Sequence, residues 1–207
     1  MNISHLRPAL AGAMALSCSS STPGDPNGGG ETCTGYPAWE TSAYVLPFAP
    51  GTAYRVIQGN CSPPGNGHRG SNRYGYDFGM TIGTDFNAAR AGTVVAVEES
   101  HLDGEIAATG KDNYIAILHA DGTVGLYGHL TQGGAIVGLG DQVTRGQLIG
   151  RSGNTGNTNN IPHLHFSLQS CDPVSLGSAA CPTIPSTFRN TDPNPGGLQN
   201  GVTYPAR

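Results

Sequence analysis

The sequence predicts an all-β domain, and three observations carry that expectation. Short apolar, β-branched runs recur along the chain. Glycine (32 residues) and proline (15 residues) punctuate those runs as tight turns. No segment sustains the apolar period of an amphipathic helix. The 207 residues are enough for one domain with a core plus tails. Charged residues make up only 12%, the net charge is -4, and Lys111 is the sole lysine. That composition excludes the basic surface that nucleic-acid binding requires. No apolar run is long enough to span a bilayer.

Taken in order, the chain opens with Met1–Arg7, a short segment bearing one positive charge, followed by the weakly apolar Pro8–Ser17. Ala15-Leu16-Ser17-Cys18 then leads into a serine run. This resembles a bacterial lipoprotein export signal over 1–18, with Cys18 as the lipidated residue, although Ala15 stands where Leu is usual. A lipid at Cys18 would be the only membrane attachment. Residues 19–43 read as a flexible tether, because 19–35 are Ser, Pro, Gly and Asn with almost nothing apolar. The composition shifts near Tyr36. Five cysteines are present: Cys18, Cys33, Cys61, Cys171 and Cys181. With Cys18 lipidated, four remain for two disulfides in an oxidising compartment. Proximity favours Cys33–Cys61 and Cys171–Cys181, but four cysteines allow three connectivities. No C-x-x-C pair exists, so a thiolate zinc knuckle is not expected.

The main domain is expected over 44–190. Tyr44–Phe48, Tyr54–Ile57 and Thr93–Val97 read as strands. Tyr114–Leu118 and Thr123–Tyr127 flank Ala120-Asp121-Gly122, a hairpin signal. Gly140–Val143 and Arg145–Gly150 form a further turn-rich pair. His163–Gln169 reads as a strand, and 191–207 as a loose tail.

The chemistry concentrates in four of seven histidines. His5 falls in the signal, His101 in a polar stretch, and His119 beside a turn, where it reads as structural. His163 and His165 are two apart in a strand, so both rings point to one face, with Cα atoms roughly 6–7 Å apart. Neutral imidazole is a common zinc ligand. His68 sits in a glycine-rich loop that runs to Asp77, a carboxylate set between Tyr76 and Phe78. Burying such a group is costly without a cation or hydrogen-bond partners. A turn aspartate bonded to backbone N–H groups is the plainer alternative.

The ordered set His68, Asp77, Tyr127-Gly128-His129-Leu130 and Pro162-His163-Leu164-His165-Phe166 resembles the lysostaphin-type (LytM-like) zinc metallopeptidases. The resemblance covers about residues 44–190. Supporting text includes Gly83-Thr84, Ala88–Val95, Asn113-Tyr114, Gly140–Gly150 and Ser152–Gly156. It implies antiparallel sheets forming an open groove, the duplicated hybrid motif, with one zinc on the groove floor. Carried over by position, His68, Asp77 and His165 hold the metal, while His129 and His163 are catalytic without being ligands. Two imidazoles and one carboxylate leave a fourth position, as catalytic zinc sites do. The implied substrate is the peptide part of bacterial peptidoglycan, cut by a monomeric, exported endopeptidase. Which catalytic histidine does what stays open.

Two departures stand out. His68 and Asp77 are nine residues apart, more than many members have, so the insert Arg69–Tyr76 should border the groove. Asp85-Phe86 replaces the usual Pro plus aliphatic residue. A cupin-type barrel would add a Glu after the H-x-H, which Phe166–Ser170 lacks. A biotinyl or lipoyl carrier would need a lysine in the facing turn, and Lys111 is misplaced for it. A ligand-free, wall-binding relative is disfavoured because all three ligands and both histidines are present.

Overall fold

The computed structural model describes residues 33–62, 67–105, 111–170 and 181–207. The expected export signal, Cys18 and the first part of the tether lie outside them. Eleven strands are present among the described residues: β1 (Ala53–Gln58), β2 (Tyr76–Phe78), β3 (Asp85–Asn87), β4 (Gly92–Glu98), β5 (Tyr114–Leu118), β6 (Val124–Gly128), β7 (Leu130–Ala135), β8 (Gln142–Val143), β9 (Leu148–Ser152), β10 (Leu164–Gln169) and β11 (Thr203–Pro205). The described helical turns are two short 3-10 turns, Trp39–Thr41 and Gly70–Asn72. No helix among the described residues is long and apolar enough to cross a membrane. The all-β expectation holds.

Eight strands form one antiparallel sheet in the order β11-β1-β2-β10-β6-β5-β4-β8, and β3-β9-β7 form a second. The core lies between the sheets because alternate residues of each strand face inward. Phe78, Val94, Ile115, Ile117, Tyr127, Leu164 and Phe166 from the large sheet meet Phe86, Leu130 and Ile149 from the small one. Tyr127 stacks on Phe86 at 5.7 Å, and its hydroxyl accepts from Ala89 N–H at 2.7 Å. Phe86, the departure noted above, is therefore a core residue with no exposed surface.

One corner joins the sheets. β6 ends at Gly128 and β7 begins at Leu130, so His129 alone carries the chain across. Its φ is 62°, in the left-handed region. That conformation costs a non-glycine residue about 1–2 kcal/mol and recurs at functional sites.

Several sequence expectations need correction. Tyr44–Phe48 is not a strand: Pro47 interrupts any ladder, and the segment is pinned by Val45 N–H to Ala89 O (2.9 Å) and Leu46 N–H to Asn190 Oδ1 (2.8 Å). Gly140–Val143 and Arg145–Gly150 do not pair with one another, since β8 pairs with β4 and β9 is central in the small sheet. Residues 191–207 are not a loose tail. β11 pairs antiparallel with β1, and Leu198, Tyr204 and Ala206 are buried. The end of the expected tether is also packed: the Tyr36 ring meets Tyr74 edge-on at 5.8 Å, and Cys33 is disulfide-bonded to Cys61. Across a sequence separation of 28, such a bond stabilises by about 3–4 kcal/mol in the chain-entropy description. Cys181 is disulfide-bonded as well, while Cys171 lies outside the described residues.

Candidate functional site

β10 sits between β2 and β6, and its register builds the site. His165 is opposite Asp77 on one side and Gly128 on the other. Directly opposite residues share a face, so the carboxylate and imidazole are neighbours by sheet geometry alone. Leu164 and Phe166, pointing the other way, are clamped in the core at 0% exposure. His163 lies one bridge outside β10, opposite Gly153. His68 arrives from the loop before β2. Gly75 makes room for it: a Cβ there would stand 2.8 Å from His165 Cε1 and 3.0 Å from His68 Cγ.

The three side chains converge. His68 Nε2 is 3.1 Å from His165 Nδ1 and 3.2 Å from Asp77 Oδ1, and His165 Nδ1 is 2.9 Å from that same oxygen. All three residues are buried. Tetrahedral ligands at 2.0–2.1 Å from a zinc ion would be separated by about 3.3 Å, so the spacing fits. The donor chemistry fits too. His68 Nδ1 faces Gly59 O at 3.4 Å and His163 Nδ1 faces Ile161 O at 2.7 Å. Assigning tautomers from those carbonyls leaves a lone pair on each Nε2. Both nitrogens then aim at Asp77, His163 Nε2 lying 3.5 Å from Oδ2. Such a cluster of acceptors calls for a cation.

The electrostatics follow from burial and pairing. Burial alone would push Asp77 up, but facing His68, His163 and His165 outweighs it and holds the carboxyl well below its usual range. Burial works against the charged form of His68, yet Asp77 prevails and raises its pKa. For His165 burial dominates and lowers the pKa to about 4. Burial lowers His163 as well. His163 and His165 are thus neutral at pH 7.

A cavity of about 510 Å³ opens above these groups. Its lining includes His68, Asp77, His129, His163 and His165, so the structure brings together all five residues singled out in the sequence. His129 and His163 are edge to face, ring centres 4.6 Å apart. His129 Nδ1 faces Thr155 O at 2.8 Å. Asn72, from the insert, borders the cavity as expected, and Ile57 and Ile161 give apolar margins. His119 lies away from it, with Nδ1 on Ala91 O at 2.9 Å and its ring against Tyr44.

Sequence reasoning missed two polar residues. Asp112 lines the cavity, its Oδ1 3.1 Å from His129 Nδ1. Gln58, with its amide turned so that nitrogen faces Asp77, donates to Oδ2 at 2.7 Å. The hairpin signal could have found Asp112. Counting back from Gly122 through Leu118↔Val124 to Tyr114↔Gly128 places residue 112 beside 129 and 130.

The sequence profile described as Peptidase family M23 matches residues 71–176, about half of the chain. The chain belongs to peptidase family M23. Within this M23 chain, 94 residues are 38% identical to the peptidoglycan DD-endopeptidase ShyA of Vibrio cholerae serotype O1, covering 45% of the chain and 19% of that relative. Another 38% identity, over 101 residues, is to the glycyl-glycine endopeptidase ALE-1 of Staphylococcus capitis, covering 48% of the chain and 25% of the relative. The match therefore spans no more than a quarter of either relative. Among solved structures, the catalytic domain of the antimicrobial peptidase lysostaphin from Staphylococcus simulans is 33% identical, with a TM-score of 0.42, over 59% of this chain and 83% of that one.

Proposed function

We propose that this M23 domain is a zinc-dependent endopeptidase that hydrolyses amide bonds in the peptide cross-links or stems of bacterial peptidoglycan. The convergence of His68, Asp77 and His165 beneath a cavity that His129 and His163 also line carries the reading. The names of the two relatives, a peptidoglycan DD-endopeptidase and a glycyl-glycine endopeptidase, support the substrate class.

In this reading His68 Nε2, Asp77 and His165 Nδ1 hold one zinc ion. When bound, zinc supplies a Lewis acid that polarises a carbonyl and lowers the pKa of water toward about 7. Gln58 donates to the second oxygen of Asp77 and keeps that carboxylate in place. His129 and His163 each present Nδ1 to a backbone carbonyl, leaving Nε2 as the proton acceptor. Those two nitrogens move protons at the attacking water and the leaving amine. Ile57 and Ile161 supply apolar lining to the cavity. A substrate outside the cytoplasm fits the export signal and lipid anchor at Cys18, which we include in the proposal.

Zinc binding should depend on pH in a defined direction. Asp77 raises the pKa of His68, so the metal-free protein keeps a proton on His68 to higher pH than a free imidazole would. Zinc needs that lone pair and displaces the proton. Affinity is therefore expected to fall as pH drops through the His68 titration and to level off above it. Calorimetry in buffers of different ionisation heat should show proton release on binding. Affinity unchanged between pH 5 and 8 would contradict the ligand role of His68.

The function is tested by incubating a soluble form lacking residues 1–18 with purified cross-linked peptidoglycan, with and without a zinc chelator. Mass spectrometry of the products should show chelator-sensitive loss of cross-linked fragments and identify the bond. Zinc-loaded, folded protein that cleaves nothing would favour a wall-binding module instead.

A further inference from the structure

We propose that Asp112 is the positioning residue for His129, holding its imidazole so that Nε2 is presented to the cavity as proton acceptor. The inference rests on the catalytic reading of His129 given above.

Three observations meet at this contact. Asp112 Oδ1 is 3.1 Å from His129 Nδ1, and the carboxylate side chain is only 14% exposed. It shares that nitrogen with Thr155 O, so Nδ1–H has two acceptors from different parts of the chain. Next, His129 turns the corner between the sheets at φ 62°. A residue in this sparsely populated conformation persists when its surroundings over-determine it, and the two Nδ1 contacts supply that determination for the ring.

The third observation is the space the carboxylate occupies. Gly156 has φ +73°, and a Cβ on it would stand 1.9 Å from Asp112 Oδ1. Glycine at 156 thus leaves a notch that fits the Asp112 side chain. Asn157 N–H also points to Oδ1, at 3.4 Å. Burial works against ionisation of Asp112, but its bond to His129 outweighs this and keeps the carboxyl below its usual range, so it can only accept. An acceptor opposite Nδ1–H fixes which tautomer the neutral ring adopts. A partner that orients an imidazole in this way is typically worth 10–100-fold in function.

The test compares wild type with Asp112→Ala, Asp112→Asn and Gly156→Ala, all zinc-loaded. Long-range 1H–15N spectra read the His129 tautomer. Elemental analysis reads zinc, thermal melting reads the fold, and hydrolysis of a cross-linked muropeptide reads kcat and KM. With Thr155 O left as the Nδ1 acceptor, Asp112→Ala should loosen the His129 ring, read as shifted or broadened His129 ring signals, and lower kcat about 10–100-fold, with KM and zinc content within about twofold. Asp112→Asn, which keeps an acceptor oxygen, should recover much of both. Gly156→Ala should reproduce that loosening by displacing the Asp112 carboxylate, without substituting either partner. Wild-type His129 ring signals in Asp112→Ala, or a change confined to KM or melting temperature, would overturn the proposal. Wild type with no hydrolysis at all would instead refute the catalytic reading, and the spectra would still decide the positioning role.

Discussion

Replacing His165 or Asp77 by alanine is expected to abolish hydrolysis and to strip the metal. Both residues sit in strands, locked opposite one another by register. Apparent zinc affinities of roughly 10–16 kcal/mol divide among three protein ligands as about 3–5 kcal/mol each. Losing one should weaken binding by about a hundredfold to several thousandfold. Asp77→Ala carries a second penalty. The carboxylate compensates His68, so its loss leaves that buried imidazole without its anion. Asp77→Asn separates the effects, since it preserves shape and removes the charge. It should also lose the metal. Retention of full zinc by either alanine variant would show that the ion is held elsewhere.

His129→Ala should be as inactive and yet keep its zinc. Its Nδ1 is engaged by Thr155 O and Asp112, and its ring centre is 6.0 Å from that of His165. It stands outside the cluster of His68, Asp77 and His165. Removing a positioned proton-transfer group typically costs 10²–10⁴ in rate, so turnover should fall by about a thousandfold with KM little changed. Alanine at φ 62° is strained, and His129→Asn gives a second variant better suited to that backbone. A melting temperature close to wild type in the asparagine variant, with turnover still lost, would separate chemistry from folding.

Much of this was legible in the sequence, for reasons that can be named. β4, β5 and β6 were readable as short apolar runs bounded by turn signals, and β10 as the run that carries the H-x-H. The H-x-H spacing in such a strand forced His163 and His165 onto one face. Asp77 was readable as a carboxylate in an apolar setting, and the register explains it: His165 lies directly opposite. The C-terminal segment was misread because a three-residue strand carries almost no periodicity, and its signal is a long-range pairing with β1. Tyr44–Phe48 was misread because an apolar run looks like a strand whether its N–H groups meet a ladder or, as here, a loop carbonyl and the Asn190 side chain. Asp112 was passed over because single polar residues at strand entrances are common, and only the hairpin count brings it to His129.

The central claim is that His68, Asp77 and His165 hold zinc while His129 and His163 face it without holding it. The most direct test is zinc content, by elemental analysis after gel filtration, for wild type, His165→Ala and His129→Asn prepared side by side. The account predicts one zinc per chain in wild type and in His129→Asn, and none in His165→Ala. Equal loss from His129→Asn and His165→Ala, in folded protein, would contradict it.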